Sequence, residues 1–147
     1  MRFLITATPD PSKPAMPAPT PDTPFDEKVF SAYMKFNEDM HKAGVLVASE
    51  GLNPQKKGAR VGVVGGRRTV LDGPFVESKE LVGGFYLVDV KSLDEAIAWA
   101  LKAPTGFGFA DLLTIHPMTE EEDIPPELVA LIKKAAPTWS LTFKNRG

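Results

Sequence analysis

The chain contains no cysteine and only two histidines. The lack of cysteine excludes disulfide bonds, thiolate metal sites and a cysteine nucleophile. His41 and His116 lie far apart in the sequence without the spacing of a metal site, so we predict neither a metal nor another cofactor. No apolar run approaches the roughly 20 residues of a membrane span, and the three apolar residues after Arg2 are too few for a signal-peptide core. We therefore expect a cytoplasmic protein without membrane contact.

The remaining composition is that of a globular protein of one domain, residues 1–147. Of the 147 residues, 43% are hydrophobic and 24% charged, and the net charge of −2 gives no general attraction to nucleic acid or acidic lipid. Proline is abundant, because seven of the 14 prolines fall in residues 9–24. This stretch predicts an extended loop, and residues 117–147 predict a C-terminal extension with a helix.

Hydrophobic periodicity predicts an alternation of strands and helices. The first helix is expected to begin with Thr23 as N-cap and to end at Gly44, and Ser92 is expected to cap the second. Spacings of three or four residues predict one buried apolar stripe on the first helix, formed by Phe25, Val29, Tyr33, Phe36, Met40 and Ala43. Gly65 and Gly66 suit the turn of a hairpin. The predicted strands cover residues 2–7, 45–52, 60–64, 68–72, 83–90 and 111–115, and the third helix covers residues 124–135. This order is that of an α+β ferredoxin-like sandwich with an inserted β-hairpin.

Residues 85–88, Phe-Tyr-Leu-Val, are apolar on both faces of their predicted strand. A single layer of helices covers only one face of a sheet, so the other face needs a second cover. We expect two copies to pack sheet against sheet as a homodimer, since closed symmetric dimers are the commonest oligomers. In the alternative arrangement, the C-terminal helix folds back across that face.

Several short segments occur in the order typical of one family. Residues 49–52 read Ser-Glu-Gly-Leu, residues 69–75 read Thr-Val-Leu-Asp-Gly-Pro-Phe, and residues 83–87 read Gly-Gly-Phe-Tyr-Leu. Ser92 to Ala96 continue the match. With these segments the chain resembles the YCII-related family, which is marked by the Asp-Gly-Pro-Phe signature at residues 72–75.

The resemblance implies a dimeric α+β barrel, in which two ferredoxin-like sheets pack face to face. Some relatives are thought to use an Asp–His pair for proton transfer or elimination on small cyclic substrates, with the histidine near the start of the first helix. Residues 25–29 contain no histidine here, so this pair is not transferred. Many relatives are encoded beside alternative sigma factors. The chain is therefore expected to bind a small molecule, either as an enzyme of proton transfer, isomerisation or elimination, or as a non-catalytic ligand-sensing or regulatory partner module.

Glu50 and Asp72 are the predicted catalytic residues. Glu50 shares its strand parity with Leu46 and Ala48, and Asp72 shares its parity with Val70. Two carboxylates that enter an apolar cavity would gain proton affinity and suit general acid–base catalysis. In the structural alternative, Asp72 bonds the amides of its own turn, and Glu50 anchors the neighbouring loop.

Four further residues are predicted to bind the ligand. Lys79 could neutralise a carboxylate or an anionic substrate, Phe75 belongs to the signature, and Tyr86 could donate a phenolic hydrogen bond. His116 follows the last predicted strand, where it could line a cavity mouth or bind haem or a metal. For Lys79, which lies between Glu77 and Glu80, a solvated charge is the favoured alternative, and the parity of Tyr86 leaves its direction open.

Charge is grouped at two places outside this predicted site. The only basic cluster surrounds the hairpin and consists of Lys56, Lys57, Arg60, Arg67 and Arg68. An acidic run precedes the C-terminal helix and consists of Glu120, Glu121, Glu122 and Asp123. The basic cluster has no interleaved aromatic residues, so a solvated hairpin edge is favoured over a nucleic-acid site. Negative charge at a helix start is expected from the helix dipole.

Overall fold

The computed structural model describes residues 1–14, 20, 22–53, 56–71, 82–105 and 111–145. Within these ranges the strands are β1 (Arg2–Thr8), β2 (Leu46–Gly51), β3 (Arg60–Val64), β4 (Arg67–Leu71), β5 (Gly84–Asp89) and β6 (Leu112–Pro117). The helices are α1 (Glu27–Lys42), α2 (Leu93–Ala100) and α3 (Pro126–Ala135), and two short 3₁₀ helices cover Glu121–Asp123 and Trp139–Asn145. The described part of the proline-rich stretch contains neither helix nor strand.

Four strands form one antiparallel sheet in the order β2-β5-β1-β6. When the hairpin strands β3 and β4 are left out of the count, this is the strand order of a ferredoxin-like fold. The predicted α+β class is therefore confirmed. Strands β3 and β4 form a separate two-stranded sheet, the predicted inserted hairpin. Gly65 and Gly66 make its turn with φ angles of +58° and +77°, a backbone region that favours glycine.

Helices α1 and α2 cover one face of this sheet and enclose the core. Phe3 and Ile5 on β1 alternate with outward residues, and Val88 on β5 lies opposite Phe3. Phe36 and Met40 come down from α1 at a spacing of four residues. These side chains are almost completely buried, and apolar burial of this kind contributes about 1.5–3 kcal/mol for each large side chain.

The second face of the sheet is only partly covered. Leu4 and Leu87 lie opposite each other on this face, as do Thr6 and Phe85, and all four side chains are partly exposed. Strand β5 thus carries apolar residues on both faces, as predicted. No residue of α3 belongs to the core that the described residues form. Helix α3 is therefore not part of the layer of helices that packs on the sheet.

The first helix starts later than predicted. Asp26, not Thr23, is its N-cap, and the Asp26 carboxylate accepts hydrogen bonds from the backbone N–H groups of Lys28 and Val29 at 3.0 and 3.1 Å. A carboxylate is a good cap because it meets both the free N–H groups and the positive end of the helix dipole. Phe25, predicted to be part of the buried stripe, therefore lies before the helix and is 75% exposed.

The second helix begins as predicted. The Ser92 hydroxyl accepts a hydrogen bond from the Glu95 N–H at 3.2 Å. The Glu95 carboxylate reaches one residue further back than a capping box requires and accepts from the Lys91 N–H at 2.9 Å.

Candidate functional site

At one end of the four-stranded sheet, β1 and β2 end and β5 and β6 begin. Ala7 near the end of β1 lies opposite Gly84 at the start of β5, and Thr8 lies opposite Leu112 at the start of β6. Gly51, the last residue of β2, also pairs with Gly84. A Cβ atom on Gly84 would lie 2.7 Å from the Glu50 carbonyl oxygen, so β2 and β5 approach closely here only because residue 84 is glycine.

Glu50 lies at this end, on the sheet face that the helices leave open. It pairs with Phe85, and its side chain is exposed. A β-bulge between Leu46 and Ala48 changes the parity of the strand: Leu46 lies opposite the buried Val88. The predicted grouping of Glu50 with Ala48 is correct, but the inclusion of Leu46 is wrong, because the bulge adds one residue to β2.

His116 lies on the same open face but at the opposite edge of the sheet. It is exposed on β6 and pairs with Leu4 of β1. Three strand spacings, about 14 Å, separate β6 from β2, so the Glu50 and His116 side chains do not meet within one chain.

Asp72, Phe75 and Lys79 lie outside the described residues. Their predicted roles as a catalytic carboxylate and ligand contacts remain predictions. The chain returns to the described part at Val82, and the N–H of Gly83 donates to the Ala7 carbonyl at 2.8 Å.

Tyr86 faces the helices, which answers the question of direction that its parity left open. Its ring lies edge-on to Phe36, with 5.4 Å between the ring centroids, and 8% of the residue is exposed. Burial, together with the charge of a nearby Tyr33, raises the pKa of Tyr86 to about 12. The phenol therefore keeps its proton across the physiological pH range.

Two residues that sequence reasoning did not select are linked to Tyr86 electrostatically: Tyr33 acts on Tyr86, and Asp111 acts on Tyr33. Tyr33 is half-buried on α1, and its pKa is raised by burial and then by the negative charge of Asp111. Asp111 directly precedes β6, its side chain is 9% exposed, and its carboxylate lies 3.4 Å from the Lys13 ammonium. We call these four residues, Lys13, Tyr33, Tyr86 and Asp111, the tyrosine–aspartate cluster.

The sequence holds a weak signal for this cluster. Tyr33 falls in the apolar stripe of α1, where a tyrosine brings a hydroxyl group towards the sheet, and Asp111 is a charged residue next to an apolar strand. Neither feature is specific, because tyrosine is common at the edge of a core and aspartate is common before a strand. Only the packing of α1 on the sheet shows that the two groups influence each other.

The cluster combines proton donors with a shielded proton acceptor. Both phenols stay neutral at pH 7, so they can donate hydrogen bonds to an oxygen of a ligand. The Asp111 carboxylate can accept a proton, and its Oδ2 atom lies 3.4 Å from the Lys13 ammonium. Within the described part of the chain, no three side chains of the kinds that bind metals lie together. None of the described helices combines the length and the hydropathy of a membrane span.

The fold defines a class of protein: a ferredoxin-like α+β domain with an inserted hairpin, which here carries the tyrosine–aspartate cluster. Within that class the chain belongs to the YCII-related domain family, whose model matches residues 1–119. The C-terminal extension from Glu120 onwards lies outside that match.

Two proteins are similar to this chain. An uncharacterised protein of Rhizobium meliloti (strain 1021), R00369, is 34% identical over 101 residues, which are 69% of this chain and 74% of that protein. The solved structure of the 5-chloro-2-hydroxyhydroquinone dehydrochlorinase TftG from Burkholderia phenoliruptrix AC1100, in complex with 2,5-dihydroxybenzoquinone, matches 85% of this chain and 100% of its own. It does so at 12% identity and a TM-score of 0.36.

Proposed function

We propose that the chain binds a small cyclic compound bearing a carbonyl or hydroxyl oxygen and transfers a proton on it. The observation that carries the proposal is a chain of electrostatic influence: the Asp111 carboxylate acts on the half-buried Tyr33, and Tyr33 acts on the buried phenol of Tyr86. Phenols whose pKa values are raised by burial and by a neighbouring charge, as those of Tyr33 and Tyr86 are, occur at sites that move protons.

In the proposed reaction, the two kinds of group have separate roles. Asp111 accepts a proton from a carbon next to the ligand carbonyl, and negative charge develops on the carbonyl oxygen. The phenols of Tyr33 and Tyr86 hydrogen-bond to that oxygen and stabilise its charge. Return of the proton to another atom of the ligand completes an isomerisation, whereas loss of a leaving group completes an elimination.

Glu50 marks a second place where a ligand could bind, on the open face of the sheet. Its predicted role as a base is the alternative proposal to that of Asp111, and the roles of Asp72, Lys79, Phe75 and His116 also remain proposals. The partly exposed Phe85 beside Glu50 supports a ligand or a second sheet on this face. The homodimer that packs sheet against sheet is proposed for the same reason, and the cytoplasmic location also remains a prediction.

The test is a comparison of three variants against a panel of cyclic ketones and phenols. Binding is measured by the rise in melting temperature, since a ligand that binds only the native state stabilises it. Proton transfer is measured by exchange of the α-hydrogens of each ketone with deuterium from the solvent.

We expect Tyr86→Phe and Asp111→Asn to weaken binding and to slow exchange by about 10²-fold or more, and Glu50→Gln to change neither. Unchanged exchange in both cluster variants would refute the proposed site, whereas loss of exchange only in Glu50→Gln would assign the chemistry to the open face. Binding without exchange would identify a non-catalytic ligand-sensing module. Circular dichroism of each variant verifies that it is folded.

A further inference from the structure

The hairpin β3–β4 exposes an apolar face. Val61 lies opposite Val70, and Val63 lies opposite Arg68, so these four side chains share one face. The three valines are 53%, 65% and 60% exposed in that order. A two-stranded hairpin alone is at best marginally stable in water, and three adjacent exposed valines are an unusual surface for one.

The rim of this face is strongly basic. Residues 56–71 contain five lysines and arginines and no aspartate or glutamate. Arg67 and Arg68 follow the glycine turn and are exposed. The hairpin therefore combines an apolar centre with positive charge, which matches a surface of apolar centre and negative rim.

The C-terminal extension of the same chain has that complementary surface. Leu128 and Leu131 lie one turn apart on α3 and are 47% and 58% exposed. Residues 120–127 contain five aspartates and glutamates and no lysine or arginine. Among them, Glu121, Glu122 and Glu127 are exposed, and the Glu121 carboxylate lies 3.7 Å from the Lys133 ammonium.

Within one chain these two surfaces belong to opposite ends of the sheet. The hairpin is inserted between Gly51 and Gly84, which pair at one end, whereas the extension leaves β6 at Pro117, which pairs with Phe3 near the other end. Strands of six or seven residues separate the two ends by roughly 20 Å. Both surfaces are exposed in the single chain, so contact between two chains is the arrangement that covers them.

We propose that the hairpin of one copy docks on the C-terminal extension of a second copy. A two-fold axis makes the contact twice, which gives a closed dimer with two apolar patches and four clusters of charge. This contact uses neither the tyrosine–aspartate cluster nor the open face of the sheet. A protein surface fits the exposed valines better than nucleic acid does, because the hairpin has no aromatic side chain for base stacking.

The first test is a charge exchange, measured as the self-association constant by analytical ultracentrifugation. Arg67→Glu with Arg68→Glu, and separately Glu121→Lys with Glu122→Lys, are each expected to raise the dimer Kd at least tenfold. All four substitutions together are expected to restore most of the affinity. Lys28→Glu, on the exposed side of α1, is the control and leaves Kd unchanged.

The second test is directional. Because the native chain has no cysteine, Val63→Cys and Leu131→Cys each introduce a single thiol. An equimolar mixture of these two variants is expected to form a disulfide-linked pair on mild oxidation, and a mixture of Val63→Cys with Leu101→Cys is not.

Three results would overturn the proposal: an unchanged dimer Kd in both double variants, a wild-type chain that stays monomeric, or no difference between the two cysteine mixtures. A different result would identify the hairpin as a nucleic-acid surface instead: a monomeric chain that binds duplex DNA with a steep dependence on salt, where only the arginine variant loses this binding.

Discussion

The Arg2 guanidinium holds the Glu120 carboxylate with three hydrogen bonds, from Nε to both carboxylate oxygens at 3.0 and 3.2 Å and from Nη2 to Oε2 at 3.1 Å. The Arg2 backbone N–H adds a fourth bond at 2.9 Å. Arg2 is 9% exposed, so the pair is largely shielded from water. It joins the first residue of β1 to the segment that follows β6, and thereby fixes where the C-terminal extension begins.

Loss of this carboxylate should destabilise the chain at neutral pH. Glu120→Gln leaves the shielded Arg2 charge without its partner, so we expect the free energy of unfolding to fall by about 2–3 kcal/mol in urea denaturation at pH 7. Glu127→Gln, an exposed residue in the first turn of α3, is the control and should stay within about 0.5 kcal/mol of the wild type. Equal losses in the two variants would contradict a special role for the pair.

The same pair predicts a dependence on acid pH. Partial burial acts to raise the pKa of Glu120, but the hydrogen bonds and charge of Arg2 outweigh it and lower the pKa below its ordinary value of 4.5. The folded state therefore binds this proton less readily than the unfolded state. Its stabilising effect is present above pH 4.5 and is lost as the pH falls through the lowered pKa. The difference between wild type and Glu120→Gln should shrink over that range.

The first helix provides a test of its corrected start. Asp26→Ala removes the cap of α1 and should cost about 1 kcal/mol. Thr23, the cap expected from the sequence, instead accepts a hydrogen bond from the Thr20 N–H at 2.7 Å in the preceding turn. Thr23→Ala should therefore have the smaller effect when both variants are compared by thermal denaturation, and the reverse order would restore Thr23 as the cap.

The sequence contains enough information for the order of the elements but not for their fine alignment. The strand at residues 85–88, which is apolar on both faces, and the Gly65-Gly66 turn are local sequence patterns. Both patterns predict the observed structure. The bulge after Leu46 depends on how β2 meets β5, which no local pattern records. For the same reason, the parity of Tyr86 left two directions open until its packing on Phe36 was seen.

The predicted site was likewise foreseen only in part from the sequence. Glu50 and His116 are both on the open face, as residues of one cavity should be, but strand order places them at opposite edges of the sheet. The influence of Asp111 on Tyr33 joins a residue of α1 to the residue before β6, far away in the sequence. Such contacts depend on tertiary packing, so a reading based on motifs and periodicity selects neither residue.

The close approach of β2 and β5 gives a matched pair of glycine variants. Gly84→Ala places a Cβ atom 2.7 Å from the Glu50 carbonyl oxygen, a backbone atom that cannot move aside without shifting β2. Gly51→Ala, directly across from it, meets no atom within 4 Å among the described residues. We expect Gly84→Ala to lose about 1–3 kcal/mol in urea denaturation and Gly51→Ala to lose less than 1 kcal/mol. Similar losses of unfolding free energy in the two variants would show that β2 and β5 can move apart at Gly84 without loss of stability.

The buried phenol of Tyr86 predicts a dependence on alkaline pH. Its pKa is about 12 in the folded chain and 10.0 ordinarily, so the unfolded state releases the proton first. The stabilising effect of the neutral phenol is complete below pH 10 and is lost as the pH rises from 10 to about 12. Wild type should therefore lose more stability over this range than Tyr86→Phe does.

Direct titration of the phenols can verify the cause. The chain has two tyrosines, so Tyr33→Phe leaves Tyr86 as its only phenol, and Tyr86→Phe leaves only Tyr33. Ultraviolet absorbance of the tyrosinate should show Tyr86 titrating well above 10 in Tyr33→Phe, because burial is the larger cause of its shift. In Tyr86→Phe, the further change Asp111→Asn should lower the pKa of Tyr33, because it removes a negative charge that opposes ionisation. An ordinary pKa for Tyr86, or a Tyr33 that does not respond to Asp111→Asn, would remove the electrostatic basis of the tyrosine–aspartate cluster.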